Sequence, residues 1–121
     1  MVDGSIPRLR WKLLHGFFGA LILAVSSIPG SDLPAVTDLI SDKVLHFGEY
    51  AVLGFLGGWA YLIAGRRIWV LLLFGLGFAG LDEWWQSTIP GRQSDFADFL
   101  ADAAGHCIGA LAGAFMVKRS R

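Results

Sequence analysis

The sequence predicts an all-α integral membrane protein, a four-helix bundle with both termini in the cytoplasm. Two observations carry that prediction. Hydrophobic residues make up 55% of the 121 positions and charged ones only 17%, too apolar a balance for a small soluble domain. Most of the ten basic and ten acidic residues also segregate between opposite ends of four apolar runs. Basic residues occur before the first run (Arg8, Arg10, Lys12), between the second and third (Arg66, Arg67) and after the fourth (Lys118, Arg119, Arg121). The other two connections hold only Lys43 and Arg92 among basic residues, beside Asp32, Asp38, Asp42, Asp95 and Asp98. Basic connections stay in the cytoplasm, so the acidic ones face outward.

The runs cover about residues 11–28, 44–64, 68–86 and 99–117, within one domain spanning 1–121. Each approaches the ~20 residues that a helix needs to cross the hydrocarbon core. The first stops at Pro29-Gly30. Its basic start followed by Leu13 to Val25 also resembles a signal peptide, with Ala24-Val25-Ser26 as a weak cleavage site, but the apolar run continues through Ile28. The second stops at Gly65-Arg66-Arg67. The third is the shortest without a charge, and continues past Leu81 to Gln86. Its Trp84-Trp85 pair fits an interfacial aromatic belt, as Trp11 and Trp69 do on the other side. The fourth ends at Lys118.

Other classes are excluded early. No basic stripe with interleaved aromatics appears, so no nucleic-acid partner is expected. Cys107 is the single cysteine, which rules out an internal disulfide. The 16 glycines suit membrane helices, where small residues let backbones approach closely.

The outer face gathers the ionisable residues. The second run begins with Lys43, His46, Glu49 and Tyr50, spaced for one helical side. The third ends with Asp82, Glu83 and Gln86. The fourth starts with Asp95, Asp98, Asp102 and His106, and Gly105, Gly109 and Gly113 continue nearly the same side. A carboxylate at a helix centre costs ~2.5–3.5 kcal/mol even on the gentle insertion scale. Glu49, Asp82, Asp102 and His106, one to two turns inside the interface, therefore need partners, protons or water. The glycine seam offers a close-packing surface, for another helix of the chain or for a second copy of it.

Each residue also has a plainer role. Lys43 and Arg92 can be snorkelling anchors, and His46 a hydrogen-bonded core histidine. Glu83 and Gln86 can be solvated helix-end residues. Asp42 after Ser41, and Asp95 or Asp98, can cap helices. What distinguishes the set is convergence on one place. Lys43 and Arg92 beside carboxylates and His46 suit a phosphate or pyrophosphate head. His46, Glu49, Asp82, Asp98 and His106 are candidate metal ligands, although no established zinc spacing is present. A carboxylate–histidine pair can move protons, and His46, Glu49, Asp82, Glu83 and Asp98 are the candidate acid–base groups. No nucleophile motif accompanies them: Ser87, Thr88 and Ser94 lie in a connection. The sequence names no cofactor.

These motifs resemble a known family. The stretch Asp42-Lys43-Val44-Leu45-His46-Phe47-Gly48-Glu49-Tyr50 with Leu53-Gly54 is similar to the opening signature of VanZ-like membrane proteins. Asp82-Glu83-Trp84-Trp85-Gln86, Pro90-Gly91-Arg92, Asp95, Asp98 and the small residues through Gly105 and Gly109 resemble its second half. The likeness covers roughly residues 42–113. Position 102 departs from it, because the family usually has Asn where this chain has Asp102. The resemblance implies a multi-pass protein of the bacterial cytoplasmic membrane. The family takes its name from a member linked to resistance against teicoplanin, a lipidated glycopeptide.

Three functions follow as expectations. The first is binding, or modification, of an amphiphile at the outer leaflet: a membrane lipid, a lipid-linked envelope precursor or a lipidated antibiotic. Lys43 and Arg92 would grip it, with Tyr50, Gln86, Asp95, Asp102 and His106 completing the site. The second is a structural or assembly partner of a larger complex. The third is proton or ion transport, opposed by the lack of ionisable residues between Tyr50 and Arg66 and between Arg67 and Asp82.

Overall fold

The computed structural model describes residues 5–33, 42–62 and 67–119, with side chains from residue 9 onward. It is helical, and no strand occurs among the described residues. Helix α1 is Ser5–Ser26, followed by a single 3-10 turn at Gly30–Asp32. Helix α2 is Asp42–Gly57 and passes into a π turn at Gly58–Leu62. Helix α3 is Ile68–Ser87 and α4 is Phe96–Arg119. Asp38, Arg66 and Arg121 of the charge pattern, and the residue Ser41 before α2, lie outside the described residues.

Three of the helices are long and apolar enough to cross a membrane: α1 from Leu9 to Ser26, α3, and α4. The second predicted run behaves differently. Its sixteen α-helical residues reach ~24 Å at 1.5 Å per residue, short of the hydrocarbon thickness, before the π turn takes over. The third run, shortest by its uncharged stretch, forms a 20-residue helix because Asp82, Glu83 and Gln86 stay helical.

The helix ends have local causes. Pro29 cannot continue α1, and the Gly30 N–H donates to the Pro90 carbonyl at 2.9 Å. At the end of α3, Ser87 and Thr88 hydroxyls donate back to the Trp84 and Trp85 carbonyls. Gly91 turns the chain at φ 74°, a left-handed conformation that suits glycine. Asp95 accepts from the Asp98 N–H at 2.8 Å and caps α4.

Glycine decides how the helices meet. A Cβ on Gly105, Gly109 or Gly113 would run into the backbone of Phe47, Ala51 or Phe55 respectively. The constant offset means that α2 and α4 run parallel, in close backbone contact. Gly54 and Gly58 answer from α2 and its π turn, against His106 and Gly113. The seam is thus filled by two helices of one chain, and its three glycines are buried there. Helix α1 runs the other way along α2, since Trp11 stacks on Trp59 and Gly19 meets Leu53. Helix α3 is also antiparallel to α2: Leu71 lies at Gly57 and Phe78 at Tyr50.

The distribution of polarity is inverted. The apolar core is small, built on Ile22, Tyr50, Leu53 and Ala79 with Phe18, Phe78 and Phe99 around it. Buried among the helices are His15, Ser26, His46, Asp82, Glu83, Gln86, Asp98, Asp102 and His106. Outside stand Leu13 at 63% exposure, Phe17 at 68%, Leu73 at 57% and Phe115 at 58%. In water such a surface would drive association, whereas beside lipid tails it costs nothing. This is a membrane protein by physical design.

Candidate functional site

The parallel run of α2 and α4 puts their first turns side by side. Lys43, His46 and Tyr50 share one face of α2 with Leu53, Gly54 and Gly57. Asp98, Asp102, Gly105 and Gly109 share one face of α4. The last turns of α3 enter from the opposite direction with Asp82, Glu83 and Gln86, all buried.

Lys43 anchors the mouth. Its Nζ lies 3.3 Å from both Asp95 oxygens and 3.7 Å from Asp42 Oδ2, and it is hydrogen-bonded to Asp98 Oδ1. The Lys43 side chain is 43% exposed, that of Asp98 only 2%. The lysine therefore reaches in from the surface to a carboxylate it must neutralise.

His46 stands at the centre, with a carboxylate set at each ring nitrogen. Nδ1 lies 2.7 Å from Asp102 Oδ1 and 3.6 Å from Glu83 Oε1. Nε2 lies 3.6 Å from Asp42 Oδ1 and 4.0 Å from Asp98 Oδ2. Two triads here could hold a metal ion, Asp42–His46–Asp98 and His46–Glu83–Asp102. Neither uses Glu49 or His106. Around them Tyr50 donates to Asp82 Oδ2 at 2.8 Å, and Ser94 to Glu83 Oε2 at 2.7 Å. Gln86 donates to Ser26 Oγ at 3.1 Å. Three buried carboxylate oxygens still lack a hydrogen-bond partner: Asp82 Oδ1, Glu83 Oε1 and Asp102 Oδ2.

The other expected residues border this set or lie below it. Arg92 donates through Nη2 to the Val25 carbonyl at 3.3 Å, closing the carboxyl end of α1, where a cation suits the helix dipole. Glu49 is half-buried, within electrostatic reach of Arg92, His46 and Asp82. His106 lies deeper, its ring filling the space left by the missing side chain of Gly75 and facing Phe74 at 6.4 Å. Neither of its nitrogens has a hydrogen-bond partner.

An open groove leads to this site from the side. Trp84, Phe96 and Phe99 form its apolar walls, and Glu83, Ser94 and Asp95 its polar part. Trp84 and Phe96 are 62% and 71% exposed, so both are presented outward. A more enclosed apolar pocket, lined by Tyr61, Arg67, Val70, Leu71 and Phe74, lies near the opposite end and includes no member of the cluster.

The model of the VanZ/LLP1 family matches residues 10–117. The chain belongs to the VanZ/LLP1 family. No curated protein and no solved structure matches it.

In this VanZ/LLP1 member the resemblance seen in the sequence falls on the structural cluster: Lys43, His46, Asp82, Glu83 and Asp98 are all in it. Sequence reasoning missed two residues. His15 is buried on α1, 5.3 Å from the Tyr61 ring and 5.5 Å from Phe74, and its Nε2 is unpartnered. Ser26 receives Gln86. The signal was present, because His15, Gly19, Ile22 and Ser26 are spaced four, three and four, and all are buried. His15 also lies within electrostatic reach of His106, so the polar interior extends beyond the second, third and fourth runs to the first.

The Asp95 cap gives a direct prediction. Its carboxyl is held below the usual aspartate range, first by the Asp98 N–H and then by Lys43. A lowered carboxyl stabilises the fold above that range, and the contribution is lost as pH falls through the lowered value. Asp95→Ala should therefore speed hydrogen exchange at the Asp98 amide near neutral pH, and Asp95→Asn should speed it less, since Asn also caps. Equal exchange in all three proteins would show that the cap does not hold α4.

Proposed function

We propose that this protein is a four-span helix bundle of the bacterial cytoplasmic membrane that takes the polar head of an amphiphile into its carboxylate end from the outer leaflet. The amphiphile class is a membrane lipid, a lipid-linked envelope precursor or a lipidated antibiotic. One observation carries the reading: the groove has aromatic walls that suit an acyl chain, beside Glu83, Ser94 and Asp95, which suit a head group. Lys43, beside Asp95, is the cation within reach of an anionic head. The inverted polarity supports membrane residence, and α2 completes a fourth crossing through its π turn. The basic connections support cytoplasmic termini.

Native mass spectrometry of the detergent-purified protein tests the ligand. Wild type should retain an amphiphile that Ser94→Ala and Trp84→Ala hold less well, at unchanged yield. Arg92→Ala, altered at the end of α1, should retain it. Equal retention in every variant, or a larger protein co-purifying in place of a lipid, would favour the assembly-partner role. Orientation is tested in a Cys107→Ala background. Ser94→Cys should react with an impermeant thiol reagent on intact cells, and Arg119→Cys only after permeabilisation.

A further inference from the structure

We infer that His46, Glu83 and Asp102 form a binding site for one divalent transition-metal ion. The inference does not depend on the amphiphile reading, because it rests on the geometry of the side chains around His46. His46 Nδ1 faces two carboxylates, Asp102 Oδ1 at 2.7 Å and Glu83 Oε1 at 3.6 Å. Three ligands 2.0–2.2 Å from a tetrahedral ion stand about 3.4 Å apart, so small side-chain shifts suffice. All three residues are more than nine-tenths buried, and Glu83 Oε1 and Asp102 Oδ2 have no hydrogen-bond partner. Buried carboxylate oxygens without donors are costly, and a cation removes that cost.

The choice between the two triads follows from Lys43. Its ammonium already serves Asp42 and Asp98 at the mouth, whereas among the described residues no lysine or arginine is paired with Glu83 or Asp102. The mouth then has a supporting use. An imidazole bound to metal through one nitrogen commonly donates the other N–H to a carboxylate, and Nε2 faces Asp42 and Asp98. One imidazole with two carboxylates suits Mn²⁺ or Zn²⁺ better than Mg²⁺ or Ca²⁺, which prefer oxygen ligands alone. Three protein ligands leave a position open, and Glu83 also borders the groove.

The test uses the full chain, purified in detergent, stripped with chelator and titrated with Mn²⁺ and Zn²⁺. Wild type should take up one equivalent, with a rise in apparent Tm, and pulsed EPR of the Mn²⁺ form should show coupling to an imidazole nitrogen. Asp102→Asn keeps an acceptor for His46 and removes a charge; Glu83→Gln does likewise. Each should weaken uptake by at least about tenfold. Asp42→Asn should weaken uptake less than either inner substitution, since Asn still accepts from Nε2, and Asp32→Asn, on the exposed 3-10 turn, should bind as wild type does. No uptake by wild type, no nitrogen coupling, or uptake that survives both inner substitutions but is lost in Asp42→Asn would overturn the assignment.

Discussion

Gly109→Val should abolish recovery of monodisperse protein from detergent. The Cβ it adds would collide with the Ala51 carbonyl, and Ala51 is backbone of a neighbouring helix that cannot swing aside as a side chain can. Overpacking of a well-fitted core costs typically 1–3 kcal/mol. Here the collision also separates the helices that bring His46 to Asp102, so loss of packing and loss of polar pairing come together. Gly77→Ala is the matched control, because nothing lies within 4 Å of a Cβ at Gly77 and the position is exposed. It should leave yield unchanged or improved, as Ala favours helix over Gly by up to about 1 kcal/mol. Similar behaviour of the two variants would mean that α2 and α4 are not in close backbone contact.

Lys43→Ala should lower the apparent Tm far more than Asp98→Asn, although the two residues form one ion pair. Removing the lysine strands a carboxylate that is 2% exposed. Stranding a buried charge costs ~3–5 kcal/mol, and the low end applies to a lysine that is itself partly hydrated. Removing the charge at Asp98 leaves Lys43 with Asp95 at 3.3 Å, Asp42 at 3.7 Å and access to water, for a loss below about 1 kcal/mol. The double variant should recover most of the stability lost in Lys43→Ala, since no orphaned carboxylate remains. If the single variants fall equally, the lysine does not offset the burial of Asp98 and is only an anchor.

Much of this was legible before any coordinates. The third and fourth runs match α3 and α4 within three residues at each end, because long uncharged stretches bounded by basic residues or by Pro and Gly leave little freedom, whereas α1 begins six residues before the first run and the α-helical part of α2 stops at Gly57. The faces were legible too: spacings of three and four put Lys43, His46 and Tyr50 on one side of α2, and Asp98 and Asp102 on one side of α4. Pairings were not. Periodicity assigns a residue to a face but not to a partner, so His46–Asp102 and Tyr50–Asp82 needed the packing. Arg92, expected as a cation of the outer face, lies within electrostatic reach of Glu49 while its Nη2 donates to the Val25 carbonyl, a partner that no spacing announces. Glu83 looked like a solvated end residue, and is buried, with half-buried Ser94 donating to it. His15 disappeared into an apolar run, where one polar residue scarcely changes the average.

The register of α2 against α4 has a consequence for how the chain is made. The acceptors for Tyr50 and His46 lie 32 and 56 residues further along, on α3 and α4. Asp98, which takes the Lys43 ammonium, comes 55 residues after it. While the ribosome is still producing those segments, α2 is already leaving the exit tunnel with its polar side unanswered. On the four-span reading proposed above, its release into lipid is favourable only once α4 has arrived, so insertion of α2 should be the last step to be completed rather than the second.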